Sequence, residues 1–328
     1  MQKLSFILWS FVSVSIALFL FLLGSVSGKS VLRAVEINPG GGFKHIAYEL
    51  HKQGLIRSPY AFMIYGIFSG SAHQLKPGNY LLNAGSSTPE ILQVIVSGPV
   101  IDTEVTVIEG ATLKDIDFLL AKAGVLPEGA ISSFLFKDIS SKYKFMQGVE
   151  SLEGFLFPDT YHFFLNSETT EVIKKFLDNF ENKTKGLFKD QSSLRERIIV
   201  ASLLEKEAPV FKDRQIISGI FYKRLSLGMP LQVDSTITYA KCSGAFLTCD
   251  DPKVYRRDLD FNSKYNTYLY KQLPPGPIGN PGLEAIKAAL DPVKSNYLYY
   301  LSDPKTKKTI FSETLEEHNE NRAKYLGS

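Results

Sequence analysis

Glu207 stands where a structural helix carries a leucine. In the run Leu194-Arg-Glu-Arg-Ile-Ile-Val-Ala-Ser-Leu-Leu-Glu-Lys-Glu-Ala-Pro209, Val200, Leu203, Leu204 and Glu207 follow the i, i+3, i+4, i+7 spacing of one buried helical face. That spacing points the Glu207 carboxyl inward. Pro209 disfavours helical geometry at Ala208, so Glu207 falls in the last turn, beside carbonyls that carry partial negative charge. Burial and those carbonyls both disfavour the ionised form, so the expected pKa shift is upward. A carboxyl kept protonated near neutrality is what a general acid needs. Glu205 lies roughly 160° away around the helix and reads as a solvated neighbour. The competing reading is a glutamate that ends the helix and turns to solvent.

The elements around Glu207 favour a cleft. Asp213 to Leu227 reads as a second helix, with Ile216, Ile217, Ile220, Phe221 and Leu225 apolar and Gly228 as its stop. The two helices make a corner with Glu207 at its mouth. Beyond it come Gln232, Asp234, Ser235, Thr236 and Tyr239, then Tyr265-Asn266-Thr267-Tyr268. The stretch Leu273-Pro-Pro-Gly-Pro-Ile-Gly-Asn-Pro-Gly282 is too rich in Pro and Gly for helix or central strand, and reads as a rigid loop. Aromatic rings with amide and hydroxyl partners suit a carbohydrate, whose apolar ring faces are edged with hydroxyls. Core or rim packing is the competing role for Tyr239, Tyr265 and Tyr268.

Several separate motifs in one order give a resemblance. Ala201-Ser-Leu-Leu-Glu-Lys-Glu-Ala208, Arg224-Leu-Ser-Leu-Gly-Met-Pro-Leu-Gln-Val-Asp-Ser-Thr236 with Tyr239, Tyr265-Asn-Thr-Tyr268, the Pro/Gly loop to Gly282, and Leu152-Glu-Gly-Phe-Leu-Phe-Pro-Asp-Thr-Tyr161 together resemble the endolytic murein transglycosylases, the YceG-like family. The resemblance runs from the N-terminal apolar segment to His318. It implies that the second Glu of Glu-Lys-Glu, Glu207, is the catalytic acid, the residue that the helical face selects independently. The chain departs from the family pattern at Ala208-Pro209, where relatives often carry Thr or Gly and no proline.

Composition fits a folded body on an apolar leader. The chain has 328 residues, 44% hydrophobic and 22% charged, enough for one or two cores. A formal charge of +3, without a basic stripe interleaved with aromatics, argues against nucleic acid. Leu4 to Val26 has no charged residue and is long enough for a bilayer, at roughly 20 residues per span. It is an anchor or a signal peptide, and its length beyond a signal core favours an uncleaved anchor. Flanking charge does not orient it, since Lys3 on one side faces Lys29 and Arg33 on the other. The resemblance implies a single-pass protein of the cell (inner) membrane with its body on the periplasmic, extracytoplasmic side.

An internal repeat divides the body. Val35 to Ile56 aligns without gaps with Val105 to Leu126, each reading as strand, glycine turn, amphipathic helix and glycine stop. More loosely, Gly78-Asn-Tyr-Leu-Leu before a helix Thr88 to Ser97 matches Gly154-Phe-Leu-Phe before a helix Glu168 to Phe180. Two copies of a small α+β module follow from this. The resemblance makes the first LysM-like, a type associated with polymers of N-acetylglucosamine; scaffolding alone is its other role. The expected fold is therefore α+β: a transmembrane anchor at 1–30, a LysM-like module at 31–101, and a larger catalytic domain at 102–328 containing the related second module.

Other chemistries lack their residues. No His-Glu-x-x-His is present and the five histidines show no metal-ligand spacing, so neither metal nor cofactor is expected. Gly28-Lys-Ser30 lacks the upstream glycine and strand of a phosphate loop. Cys242 and Cys249, the only cysteines, can close a short loop in an oxidising compartment and would stay free thiols in the cytoplasm.

The resemblance implies a lyase, a membrane-anchored endolytic lytic transglycosylase. It would cut the MurNAc–GlcNAc bond of peptidoglycan glycan strands and leave 1,6-anhydro-MurNAc ends, in wall assembly or as a terminator of glycan elongation. Wall-synthesis enzymes are the implied protein partners. A muramidase-type hydrolase at the same bond, or a non-catalytic wall-binding protein, are the alternatives. Hydrolases usually pair two carboxyl groups about 5 to 10 Å apart, and Asp159, Asp234 and Glu153 are candidates for a second. Gln232, Asp234, Thr236, Tyr239, Tyr265, Asn266, Asn280 and Glu153 are the candidate substrate-binding residues.

Overall fold

The structure, a computed structural model, describes residues 2–38, 40–98, 102–135, 139, 142–188 and 193–327, without the side chains of 2–8 and 102. It divides into two units, Met1–Asp102 and Thr103–Ser328. The first carries α1 (Gln2–Leu23), β1 (Leu32–Ile37), α2 (Phe43–Lys52), α3 (Pro59–Phe68), β2 (Gly78–Asn83) and α4 (Thr88–Ser97). In β1, Val35 and Ile37 turn inward between exposed neighbours, the alternation of a strand with one buried face. β1 pairs antiparallel with β2, Val35 opposite Tyr80. Leu50, Phe62, Tyr80, Ile91 and Leu92 close a core over that pair, each buried side chain contributing roughly 1.5–3 kcal/mol.

The expected bilayer span, Leu4 to Val26, maps onto α1. Its first side chains lie outside the described residues, and among the described residues no helix is long and apolar enough to cross a membrane.

The second unit carries β3 (Asp102–Thr106), α5 (Leu113–Lys122), β4 (Thr160–Phe164), α6 (Thr169–Thr184), α7 (Leu194–Glu207), α8 (Phe211–Ser226), α9 (Asp234–Lys241), α10 (Leu283–Leu290), β5 (Tyr299–Ser302), β6 (Thr309–Ser312) and α11 (Leu315–Leu326). The architecture is mixed α and β, with three two-stranded sheets among the described residues.

The repeat is visible in hydrogen bonds. Gly54 N donates to His51 O at 2.9 Å and Gly124 N to Ala121 O at 3.0 Å, while Leu55 N to Leu50 O and Val125 N to Leu120 O are both 2.9 Å. Both glycines take positive φ, +65° and +71°, the left-handed closure that a side chain resists. The two copies diverge in their looser half. The strand that pairs with β3 is Thr160–Phe164, and Gly154 lies in the turn before it. A Cβ at Gly154 would come within 2.6 Å of Pro277 and 2.8 Å of Ile198, so this glycine answers a close approach rather than a strand start.

α7 is the centre of the second unit. Every residue from Ile198 to Leu204 is buried, because α8 and α10 both pack on it. α10 contributes Ala285, Ile286, Ala288 and Ala289, all fully buried; small side chains let the two helix backbones approach. At its end Ala208 turns extended, φ −148° and ψ 140°, as Pro209 requires. α8 then runs back from Phe211, completing the expected corner.

Candidate active site

Glu207 and its neighbour Glu205 occupy different surroundings at that corner. Glu205 is not solvated: its side chain is 5% exposed, it holds Arg214 Nη2 at 2.5 Å, and it accepts Gly282 N at 2.8 Å. Arg214 also donates through Nε to Ala208 O at 2.6 Å. One guanidinium therefore clamps the free carbonyl and the acidic side chain at the end of α7, which fixes the backbone that carries Glu207.

The Glu207 carboxyl accepts the Tyr300 hydroxyl at 2.7 Å, from the β5–β6 hairpin. Burial pushes its pKa up to about 7, and the nearby charge of Asp234 adds to the rise. The Tyr300 bond and the Ser235 hydroxyl oppose it; the Ser235 oxygen is buried with no partner at hydrogen-bond geometry. Glu207 is thus substantially protonated near neutrality. It opens on a cavity of about 620 Å³, lined also by Gln232, Asp234, Tyr268, Arg224 and the β5 residues Tyr299 and Tyr300.

Gln232 and Asp234 are the sequence candidates that share this cavity with Glu207. Gln232 sits at φ +56°, a conformation costly for a residue with a side chain, held by Gln232 N donating to Thr267 O at 3.1 Å. Asp234 accepts the Tyr268 hydroxyl at 2.5 Å.

Thr236, Asn266 and Asn280 are fully buried and hold backbone. Thr236 Oγ1 donates to Val233 O at 2.6 Å, and Asn266 Nδ2 to Leu259 O and Phe261 O at 2.9 Å each. Asn280 Oδ1 accepts Gly154 N and Leu156 N at 2.9 and 2.8 Å, while Nδ2 donates to Ala111 O at 2.9 Å. It ties the Pro/Gly loop to two others.

Glu153 belongs to that same network. It accepts Leu113 N at 2.9 Å, Tyr239 Oη at 3.2 Å and Asn280 Nδ2 at 3.3 Å, and burial pushes it up to about 8. Tyr239 and Tyr265 pack beside it, ring centres 4.8 Å apart. Asp159 is bound elsewhere, by Asn179 and Lys183, both at 3.1 Å. Of the three candidate second carboxyls, Asp234 is the one in the Glu207 cavity.

Sequence reasoning missed Tyr300. Its only signal was the aromatic run Tyr297-Leu-Tyr-Tyr300, which reads as a strand and does not say what it faces. Cys242 and Cys249 are joined in a disulfide after α9, Cα atoms 5.4 Å apart. Among the described residues no cluster of His, Cys, Asp and Glu would hold a metal ion.

Residues 35–324 match the YceG-like family. An endolytic murein transglycosylase of Bacillus subtilis (strain 168) is 34% identical, over 92% of this chain and 89% of its own length. One of Streptococcus pneumoniae serotype 2 is 30% identical over 90% of this chain, which spans 58% of that relative. A 2.6 Å crystal structure of a yceG-like protein from Listeria monocytogenes superposes with a TM-score of 0.58 and 30% identity, covering 89% of this chain and all of that one.

Proposed function

From the premise that the chain belongs to the YceG-like family, we propose that it is a membrane-anchored lytic transglycosylase that cuts peptidoglycan glycan strands internally. The observation that carries the chemistry is Glu207: a carboxyl with its pKa pushed up to about 7, bound by Tyr300 and open to a cavity. The names of the relatives support the substrate, since they are called endolytic murein transglycosylases.

In this reading Glu207 protonates the oxygen between N-acetylmuramic acid and N-acetylglucosamine as positive charge develops on the muramyl C1. The resulting carboxylate then takes the proton of the muramyl C6 hydroxyl, whose oxygen closes on C1 as a 1,6-anhydro ring. No water is consumed and Glu207 ends protonated. Tyr300 keeps a hydrogen bond on the carboxyl through both states. Asp234, with Gln232 beside it, offers acceptors to substrate hydroxyls. The uncharged stretch Leu4 to Val26 supports the anchor, with the second unit on the extracytoplasmic side. A disulfide in the second unit fits that compartment. The first unit is a LysM-like module that holds glycan.

Digestion of purified glycan strands by the unaltered chain and by Glu207→Gln tests the reading. Gln keeps size and polarity but cannot give and recover a proton, so turnover should fall by at least about 10²–10⁴. A Glu207→Gln variant that still cuts at the original rate would remove the assignment.

A further inference from the structure

The Glu207 cavity is also lined by Arg224, Tyr299, His318 and Arg322, which the acid chemistry does not use. Arg224 is 5% exposed. Its Nε donates to Leu298 O at 2.7 Å and its Nη1 to Leu231 O at 2.8 Å and Pro230 O at 3.2 Å. Nη2 meets no acceptor, and no carboxylate lies at ion-pair distance from Arg224 or Arg322 among the described residues. A dehydrated guanidinium whose hydrogen-bond partners are backbone carbonyls and, at 3.5 Å, the Gln232 amide oxygen has no negative charge to balance it, which is costly until an anion arrives. Asp234 does not fill that role, being bound to Tyr268.

Two more groups converge there. The Arg224 guanidinium carbon lies 5.1 Å from the Tyr299 ring centre, and the His318 ring is stacked at 5.3 Å from the same ring. His318 Nδ1 is buried and has no hydrogen-bond partner. Burial, then Arg322 and Arg224, hold the His318 pKa below its usual value. The wall therefore offers two guanidinium groups and the His318 ring beside the Glu207 carboxyl.

We propose that Arg224, Arg322 and His318 form a subsite for a carboxylate carried on the muramyl residue of the strand. The inference rests on the glycan-cutting reading and deepens it. In an alternating strand the two sugars differ by the lactyl substituent on the muramyl O3, so a carboxylate there is the one charged mark of sugar identity. Gripping it sets the strand's register and brings muramyl C1, rather than the C1 of N-acetylglucosamine, to Glu207. On strands stripped of peptide the anion is the lactyl carboxylate itself. On strands with peptide stems the lactyl carboxyl is an amide, and the anion comes from the stem.

Binding to the Glu207→Gln protein, which leaves strands uncut, tests the subsite with three probes: stripped strands, the same strands methyl-esterified at the lactyl carboxyl, and stem-bearing strands. Arg322 is exposed and makes no ion pair among the described residues, so Arg322→Gln in that background should fold, which thermal unfolding checks. Esterification should weaken binding about tenfold, the scale of one charge-assisted hydrogen bond. Arg322→Gln should shrink that difference, since Arg224 stays in place, and the His318 ring signal should move with stripped but not esterified strands. If Arg322→Gln also weakens stem-bearing strands, the stem carboxylate uses the same wall. Equal affinity for stripped and esterified strands, or a difference that Arg322→Gln leaves unchanged, overturns the subsite. Cutting by the unaltered chain is scored separately: strands that are cut without carboxylate dependence refute the subsite alone, and carboxylate-dependent binding without cutting refutes the transglycosylase reading alone.

Discussion

Glu205 and Glu207, two residues apart at the end of α7, are held by different partners: Arg214 grips the first and Tyr300 binds the second. The first fixes the corner and the second is left able to exchange a proton. Arg214 is 6% exposed, so Glu205→Ala would leave a buried guanidinium unpaired. The expected cost is about 3–5 kcal/mol, read by chemical denaturation, with activity per folded molecule preserved far better than in Glu207→Gln. A Glu205→Ala protein as stable as the unaltered chain would contradict the clamp.

If Glu207 is the acid, as proposed, activity should fall as pH rises through about 7. Tyr300 lowers the Glu207 pKa by its hydrogen bond, so Tyr300→Phe should move that fall to higher pH. The stability sign follows from the same shift. The folded pKa, about 7, lies above the ordinary 4.5, so the folded state binds more protons between them. That contribution is fully present below about 4.5 and is lost as pH rises to about 7. Glu207→Gln should flatten the stability profile over this window; a pH–rate profile and melts across the same range measure both effects.

The proposed anchor predicts where the chain is found. It should sediment with membranes, resist extraction by high salt, and be released by detergent. Release by salt alone would count against a span at Leu4 to Val26.

Much of this architecture was legible from local rules. Pro209 ends α7 at Glu207 through its effect on Ala208, and the glycines after α2 and α5 announce the repeat. Glu205 was misread because a helical wheel assumes one wet face, whereas α7 is enclosed by α8 and α10 and has buried residues all round. Asn266, Asn280 and Thr236 read as ligand-binding groups because they sit in polar segments: Asn280 in the Pro/Gly loop, Asn266 in a polar loop, and Thr236 where a loop passes into α9. Such irregular backbone leaves N–H and C=O groups unpaired, and these side chains satisfy them instead. Tyr300 and the Arg224 wall come to Glu207 from distant stretches of the chain, a meeting that no local periodicity records.

The most direct measurement is the mass of the muramyl ends released from purified glycan strands. Ring closure by the muramyl C6 hydroxyl leaves ends lighter by one water than hydrolysis does. The account predicts 1,6-anhydro ends from internal cuts, absent from the Glu207→Gln digest. Reducing muramyl ends as the initial product would contradict it, and would make the chain a hydrolase at the same bond.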